Sequence, residues 1–338
     1  MELLTHSKRR NFKNCNRYYY HKHIEHLSPR IQKRGRRRGT IFGDCLLVAQ
    51  QAWEGGETLG DSILQAQARC DEAHALLMDS GLPAETMMEL DTDAIKISEI
   101  LAAYLYRYGI DRRREIEFDY PFVNPKSGRS SRAFRLAGKI DGMIVVREKH
   151  ARIVEDKFVQ QIQKVMIDRL PLDDQMSEYV DALLSKGWTA EVDYRHTRFP
   201  GINPKPPKEF KTKDNYPGEG ATEFADRLRE DIGERPEFYF DEQKLIFTTD
   251  HLDDYRKGRW RTGQDILRAR RDLRRGAGYQ DAFPMNPSRC WEYGGCEFIP
   301  LCTKLPEARN LYEVVPDNPE LREQRAEGVT AEYATTEV

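Results

Sequence analysis

The chain has 338 residues, of which 39% are hydrophobic and 33% are charged, and its formal net charge is −2. This length suits one large domain or two ordinary ones, and the composition is polar but still compatible with a folded core. No apolar run approaches the ~20 residues of a membrane-spanning helix, and the basic N-terminus lacks the apolar segment of a signal peptide. We therefore expect a soluble, intracellular protein whose six cysteines are reduced rather than joined in disulfides.

The N-terminal region is strongly basic and is predicted to begin with a helix. Residues 1–40 contain twelve Lys or Arg against two Glu, a net charge of +10. Residues 7–27 have helical spacing and include three consecutive tyrosines, whereas residues 33–39, rich in Arg and Gly, are predicted to form a loop. Basic side chains interleaved with aromatic ones suit contact with nucleic-acid phosphates, although a solvated helix face would have the same composition.

Further helices are predicted before the first strand, at residues 40–53, 57–78 and 92–108. Gly109 marks the end of the last one, because glycine commonly terminates helices. Cys45 and Cys70 fall within these helical patterns, so we interpret both as thiols of the hydrophobic core.

A β-rich core is predicted over residues 114–158. Asp141 ends the sequence Gly-Lys-Ile-Asp in one extended run, and Glu155 and Lys157 lie in the next. Because they are two residues apart, the side chains of Glu155 and Lys157 leave the same face of a strand. Two carboxylates and a lysine on neighbouring strands are the groups that hold a divalent metal against a phosphodiester. The alternative is a set of exposed charges, which is common in a chain this polar.

Helical spacing returns at residues 174–184, where Gln175 and Tyr179 lie at i and i+4 and share one helical face. Tyr179 could equally be a core aromatic with its hydroxyl at the rim. The remaining predicted elements are a strand at 189–199, a loop at 201–220, a helix at 222–232, a hairpin at 237–247 and a basic helix at 250–275.

Near the C-terminus, Cys290, Cys296 and Cys302 form a C-x5-C-x5-C array, and Cys15 lies far upstream. Four thiolates suit an iron–sulfur cluster or zinc, and the lack of short CxxC spacings, which zinc sites usually have, favours iron–sulfur. Reduced, buried thiols are the alternative. From Pro306 onward the chain carries eight acids against three Arg, a net of −5, and we expect no fixed structure over 305–338.

The order of the three core motifs resembles the RecB-type branch of the PD-(D/E)XK nuclease superfamily. The match covers roughly residues 115–188 and rests on Gly-x-Ile-Asp141, Glu155-x-Lys157 and Gln175-x-x-x-Tyr179. The four cysteines resemble the iron–sulfur staple of some RecB-type nucleases, including the CRISPR adaptation nucleases and the AddB helicase–nuclease subunit.

The resemblance implies an α/β, restriction-endonuclease-like fold, with a mixed central β-sheet flanked by helices. A single nuclease domain would span residues 1–304, divided into a helical N-terminal region, a catalytic core and a C-terminal segment of helices and cysteines (1–110, 111–200 and 201–304). The implied activity is that of a Mg²⁺- or Mn²⁺-dependent deoxyribonuclease, with exonuclease action favoured, in recombination, repair or phage DNA processing. DNA is the implied partner, together with a helicase or recombination protein.

The resemblance also implies roles for single residues. Asp141 and Glu155 would hold the metal, helped by the backbone carbonyl of Asp156. Lys157 would orient or deprotonate a water and stabilise charge on the phosphate. The helix residues, Gln175 and Tyr179, would brace the lysine or bind the nucleic-acid backbone. The four cysteines would bind a 4Fe-4S cluster, with zinc less favoured.

One position departs from the family pattern. Many RecB-type enzymes have a metal-binding His in a Gly-x-x-x-His helix upstream of the core, and the equivalent position after Gly39 is Gly43. Asp44, the next residue, is the candidate replacement ligand. Otherwise the site would work with two carboxylates and water. The missing histidine therefore argues against a second metal more than against catalysis itself.

Two other functions remain open at this point. A non-catalytic iron–sulfur subunit could bind DNA within a helicase–nuclease or CRISPR adaptation complex, but it has no chemical reason to keep Asp141, Glu155 and Lys157 together. A zinc-stabilised binding module is the second, and the metal content of the purified protein would separate it from an iron–sulfur protein.

Overall fold

The computed structural model describes residues 1–30, 34–78, 84–208, 217–291, 295–316 and 321. The strands in this part are β1 (Glu2–Leu4), β2 (Leu27–Pro29), β3 (Arg114–Val123), β4 (Ser130–Arg147), β5 (His150–Val159), β6 (Thr189–Arg198), β7 (Phe240–Leu245) and β8 (Tyr312–Val314). The α-helices are α1 (His6–Asn14), α2 (Asn16–Tyr19), α3 (Arg34–Glu54), α4 (Leu59–Met78), α5 (Ala84–Tyr108), α6 (Lys164–Arg169), α7 (Asp174–Ser185), α8 (Ala221–Glu234), α9 (Pro236–Tyr239), α10 (Thr249–Arg274), α11 (Tyr279–Ala282) and α12 (Ile299–Cys302).

A six-stranded mixed sheet lies at the centre, in the order β1-β4-β5-β6-β7, with β3 also paired to β4. β1 runs parallel to β4 and β5 runs parallel to β6, whereas the other pairs are antiparallel. A separate two-stranded sheet joins β2 to β8. The mixed sheet flanked by helices confirms the α/β, restriction-endonuclease-like architecture expected from the sequence.

Hydrophobic cores cover both faces of the sheet. On one face, Tyr179 of α7 and Ile266 of α10 pack with Ile153 of β5. On the other face, α3, α4, α5 and α8 pack around Leu101, and Phe158 of β5 lies against them. Alternate residues of β5 therefore face different helices. The odd-numbered positions, which carry the Glu-x-Lys motif, face α7.

The N-terminal predictions needed correction. The predicted helix over 7–27 is interrupted at Cys15, whose backbone is extended (φ −159°, ψ 114°). The loop predicted at 33–39 is wrong from Arg34 onward, because α3 already begins there. Arg34 and Arg38 both donate hydrogen bonds to the buried carboxylate of Asp93. These charge-assisted bonds offset the low helix propensity of the two glycines in the segment.

Two C-terminal predictions were also wrong. The hairpin at 237–247 is instead the single turn of α9, begun by Pro236, followed by β7, which pairs with β6. Residues 305–316 of the predicted unstructured tail have fixed structure, since a 3-10 turn leads into β8 and Tyr312 is buried. The remainder of that prediction, apart from residue 321, lies outside the described residues, as do 209–216 of the predicted loop.

Most other predicted elements are confirmed within one or two residues, namely the helices at 57–78, 174–184, 222–232 and 250–275 and the strand at 189–199. The helix predicted at 40–53 is confirmed at its end, but α3 begins six residues earlier, at Arg34. The helix predicted at 92–108 begins earlier, at Ala84. In the described part of the chain, no helix combines the length and apolar character needed to cross a membrane.

Candidate active site

β4 and β5 bring Asp141 and Glu155 together. Met143 pairs with Ile153 in the antiparallel register, and carrying that register two residues further puts Asp141 opposite Glu155. A Cβ on the intervening glycine would lie 2.8 Å from the carbonyl oxygen of Val154, so the two strands are still in close contact there. The charge of Asp141 also contributes to the raised pKa of Glu155, so the two acidic side chains lie near each other.

The carboxylate of Glu155 is 2% exposed and only partly satisfied. Its Oε1 accepts hydrogen bonds from the ammonium of Lys157 and from Nε2 of Gln175, the latter at 3.2 Å. Its Oε2 is buried without a hydrogen-bond partner among the described residues. Burial raises the pKa of Glu155 to about 7, with Lys157 opposing and the nearby Asp141 adding to the shift. An unsatisfied buried oxygen of this kind favours binding of a proton or a cation.

The ammonium of Lys157 remains charged. Burial lowers its pKa, but the neighbouring carboxylates of Glu155, Asp173 and Asp141 more than offset this, and its pKa is raised overall. At neutral pH Lys157 is therefore a cation paired to Glu155 and not a free base.

α7 presents Gln175 and Tyr179 to these groups. Gln175 Oε1 accepts a hydrogen bond from Lys157 Nζ at 3.3 Å, and Gln175 Nε2 donates to the Tyr179 hydroxyl at 2.8 Å. The helix begins at this point because Asp173 is its N-cap, accepting hydrogen bonds from the backbone N–H groups of Gln175 and Met176. The sequence analysis did not identify Asp173 as the N-cap, although a short acidic residue shortly after Pro171 is a helix-start signal.

Tyr179 combines the two interpretations given by the sequence. It is 6% exposed, and its ring meets that of Phe118 edge to face, 6.0 Å away. Burial, followed by the charges of Glu155 and Asp141, raises its pKa well above the usual value. Its ring is thus part of the core, and its protonated hydroxyl lies at the site.

Asp156 lies on the opposite face of β5. Its carboxylate accepts hydrogen bonds from the Tyr104 hydroxyl at 2.6 Å and from Arg113. Arg195 of β6 in turn donates to the Tyr104 hydroxyl at 3.3 Å. The Asp156 side chain therefore anchors β5 to α5, and a role in metal binding through its backbone carbonyl stays a prediction.

The structure does not bring Asp44 to this group. Its side chain is 50% exposed on α3, and its carboxylate lies 4.0 Å from the guanidinium of Arg69 on α4. The helical turn therefore directs Asp44 toward α4 and solvent. A Cβ added at Gly43 would meet nothing within 4 Å, so packing does not require glycine at the position where the family has histidine.

The sequence reading also missed His6 and Arg10 of α1. Desolvation lowers the pKa of His6 well below its usual value, and the nearby charges of Arg10 and Lys157 lower it further. Burial and the charges of Asp173 and Glu155 raise the pKa of Tyr194, and Arg10 opposes them. α1 therefore borders the site. The i, i+4 spacing of the two residues was visible in the sequence, but the position of the helix was not.

The C-terminal cysteine segment approaches the N-terminal helices. The backbone N–H of Asn286 donates to the Cys15 thiol at 3.4 Å, and the N–H of Cys296 donates to the Cys290 carbonyl at 2.7 Å. Burial raises the pKa of Cys302 to about 11, and the other three thiols contribute to the shift. Across the described ranges, however, no three His, Cys, Asp or Glu side chains are arranged so that they could hold a metal ion.

Cys45 and Cys70 lie apart from this segment. Both are fully buried in the core formed by α3, α4 and α5, which confirms their interpretation as core thiols.

The raised pKa of Glu155 makes stability depend on pH. The folded protein binds this proton more tightly than the unfolded chain, so the stabilisation from protonated Glu155 is present below pH ~4.5 and is lost as the pH rises through about 7. We therefore expect Glu155→Gln to raise the free energy of unfolding in EDTA at pH 8 by about 1–3 kcal/mol. Thermal unfolding should show no such gain at pH 4.5, nor at pH 8 for the exposed control Glu148→Gln. An equal gain in the free energy of unfolding at both pH values would contradict the assignment of Glu155 as a buried carboxylate with a raised pKa.

Comparison with known proteins agrees with this geometry. No curated protein matches the chain. A family model described as the PD-(D/E)XK nuclease superfamily matches residues 3–303, from β1 to just beyond α12, and so includes both strands that carry the paired carboxylates and the lysine. Because the match covers nearly the whole chain and the mixed sheet has the expected form, the chain belongs to the PD-(D/E)XK nuclease superfamily.

Proposed function

We propose that the protein is a Mg²⁺- or Mn²⁺-dependent deoxyribonuclease with Asp141, Glu155 and Lys157 as catalytic residues. The observation that carries this proposal is the buried carboxylate of Glu155, whose Oε2 has no partner in the described part of the chain. It lies opposite Asp141 and in contact with the Lys157 ammonium. Membership of a nuclease superfamily supports phosphodiester hydrolysis as the reaction that uses these groups.

The donor set fits a hard divalent cation. Mg²⁺ and Mn²⁺ prefer carboxylate and carbonyl oxygens and retain several waters. Asp141 and Glu155 would each supply one oxygen, and the backbone carbonyl of Asp156 would supply another. When bound, the cation polarises the scissile phosphate and acidifies a bound water.

Lys157 is assigned to the charge that develops on the phosphate. Its raised pKa favours a permanent cation over a general base. Neutralising the charge of the Glu155 carboxylate would weaken its ion pair with the Lys157 ammonium. The ammonium could then donate a hydrogen bond to a phosphate oxygen. Gln175, hydrogen-bonded to Lys157 and to Tyr179, would keep the ammonium aimed at the site during this exchange.

We further propose that the chain belongs to the RecB-type branch and digests DNA from its ends. The Gln175–Tyr179 hydrogen bond supports this assignment, because the branch resemblance rests on that pair together with the strand motifs. Recombination, repair or phage DNA processing is the corresponding role, in the cytoplasm, with a helicase or recombination protein as partner.

The four-cysteine segment is proposed to bind a 4Fe-4S cluster through Cys15, Cys290, Cys296 and Cys302. Asn286 supports this proposal, because its backbone N–H donates to the Cys15 thiol at 3.4 Å and its carbonyl accepts from the Cys290 thiol at 3.9 Å. Such a site would tie the N-terminal helices to the C-terminal segment.

Cys302→Ser should therefore lose iron and destabilise the whole domain, while Cys70→Ser, a core substitution outside the segment, should retain iron. Anaerobic purification followed by iron and zinc analysis gives the readout. Wild-type protein without iron or a brown chromophore would contradict the cluster, and stoichiometric zinc would replace it with a structural zinc site.

The proposed activity is tested with end-labelled linear DNA and covalently closed circular DNA, each with Mg²⁺, Mn²⁺ or EDTA. We expect metal-dependent digestion of the linear DNA from its ends and an intact circle. Cleavage of the circle would replace the exonuclease with an endonuclease. No cleavage of either DNA with either metal would contradict the nuclease and favour the non-catalytic DNA-binding subunit.

A further inference from the structure

The outer face of α10 carries a row of cations. Residues spaced three, four or seven apart share one side of a helix. The exposed basic residues at these spacings are Lys257, Arg261, Arg268 and Arg271, continued by Arg275, the C-cap residue that follows α10. The opposite side is buried and includes Gly263 and Ile266. At 1.5 Å per residue the row extends for about 27 Å.

Few of these charges are neutralised. Lys257 pairs with Asp254 and Arg268 with Asp265, both one helical turn away, and such exposed pairs are weak. The side chains of Arg261, Arg271 and Arg275 make no ion pair or hydrogen bond within the described ranges. Like charges one turn apart destabilise a helix, so the row is better explained by an external polyanion than by the stability of α10.

A cleft connects this row to the helix beside the active site. The cleft has a volume of about 530 Å³ and lies between α1 and α10, with Lys13 on one side and Arg261 and Arg268 on the other. The ammonium of Lys13 also contacts Asp174, the first residue of α7, which precedes Gln175. Lys13 therefore borders both the cleft and the start of α7.

α1 completes the connection. Arg10 and Lys13 lie on the same side of this helix as His6. Arg10 is exposed. Its charge and that of Glu155 both affect the pKa of Tyr194, in opposite directions. Cations thus continue from the edge of the candidate active site, along α1, across the cleft and onto α10.

We propose that this row, the basic track, binds the phosphate backbone of the DNA that extends from the active site; it consists of Arg10, Lys13, Lys257, Arg261, Arg268, Arg271 and Arg275. The assignment rests on the proposed nuclease function and adds the path of the substrate. Phosphates repeat along the backbone, which suits a repeated row of guanidinium groups. Asp265 and Asp272 line the cleft wall, and their carboxylates would repel phosphates inside the cleft. The DNA strand would therefore cross over the cleft and follow the exposed cations of α10.

The test is a track variant, Arg261→Gln/Arg268→Gln/Arg275→Gln, with the matched control Arg147→Gln/Lys149→Gln/Lys244→Gln. The control residues are also exposed. Arg147 and Lys149 lie at the β4–β5 turn, at the end of β5 remote from Lys157, and Lys244 is opposite Asp193 in the β6–β7 register. Val192 and Tyr194 on either side of Asp193 belong to the core that contains α7, so the side chain of Asp193 lies on the other face of the sheet. Both variants remove three positive charges, so net charge is matched.

Binding of a fluorescent DNA duplex is measured in EDTA at several salt concentrations, where no cleavage is required. Each phosphate contact contributes about 0.9 to the slope of log K against log salt. We expect the track variant to bind at least ~10-fold more weakly, with a slope reduced by about 2–3, and the control to bind as the wild type does. Unchanged slope and affinity in the track variant, or an equal loss in the control, would overturn the proposal.

A fluorescent polyglutamate of equal charge tests the identity of the occupant in the same assay. We expect it to bind much more weakly than the duplex, and equal affinity would overturn DNA as the partner of the track. Since neither binding measurement depends on hydrolysis, a protein without nuclease activity would fail the cleavage test of the proposed function and still give a clear result here.

Discussion

Asp141→Ala, Glu155→Ala and Lys157→Ala should each reduce metal-dependent DNA cleavage on the order of 10³-fold or more. The two acids are the expected metal ligands, and the lysine is the expected partner of the charge that develops on the phosphate. Gln175→Ala should be milder, at about 10–100-fold, because Gln175 positions Lys157 and Glu155 without acting on the phosphate.

Cleavage of labelled linear DNA gives the rates, and duplex binding in EDTA provides the control. Binding by the three variants should stay close to that of the wild type, because affinity comes mainly from Lys and Arg contacts to phosphates. Wild-type cleavage by Glu155→Ala would contradict the mechanism, whatever the fold.

Glu178→Ala should cost about 3–5 kcal/mol of unfolding free energy. Arg9 and Glu178 form an ion pair in which both side chains are almost fully buried, 4% and 0% exposed. Tyr255 donates to the same Glu178 carboxylate at 3.1 Å, while Arg9 also donates to the Leu4 carbonyl. Without Glu178 the guanidinium would remain buried without a counter-charge, which is the costly outcome for such pairs.

Denaturant unfolding of the double variant Arg9→Met/Glu178→Leu distinguishes charge from packing. Because it removes both charges, it should be clearly more stable than Glu178→Ala. A double variant as unstable as the sum of the single variants Arg9→Met and Glu178→Leu would contradict an uncompensated charge as the cause.

The region of β4, β5 and α7 was the most predictable part of the molecule because its signals are local. The alternating pattern up to Asp141 and the Glu155-x-Lys157 run define adjacent strands of one hairpin, so their proximity follows from a short connection. α7 was equally clear, since its cap, its apolar face and the Gln175–Tyr179 spacing all lie within a dozen residues.

The N-terminal half was less predictable because distant partners decide its structure. The Arg/Gly-rich stretch from Arg34 onward is helical because Asp93, 59 residues from Arg34, binds two of its arginines. Likewise α1 borders the candidate active site because Arg9 forms an ion pair with Glu178, 169 residues away. β1 is only three residues long, too short to show a period, and no local pattern indicates these contacts.

Asp44 illustrates the same limit at the site. Its position next to the missing family histidine made it a reasonable substitute, but one residue along a helix is a rotation of about 100°. That rotation is enough to direct its carboxylate toward Arg69 rather than toward β5.

The central claim is that Asp141 and Glu155 bind a divalent cation beside Lys157, and Mn²⁺ titration of the metal-free protein by calorimetry tests it most directly. Wild-type protein should show saturable binding that Glu155→Gln loses. Lys157→Met, which we expect to be inactive, should bind Mn²⁺ at least as tightly as the wild type, because the lysine ammonium no longer competes for Glu155. Wild-type Mn²⁺ affinity in Glu155→Gln would contradict the account.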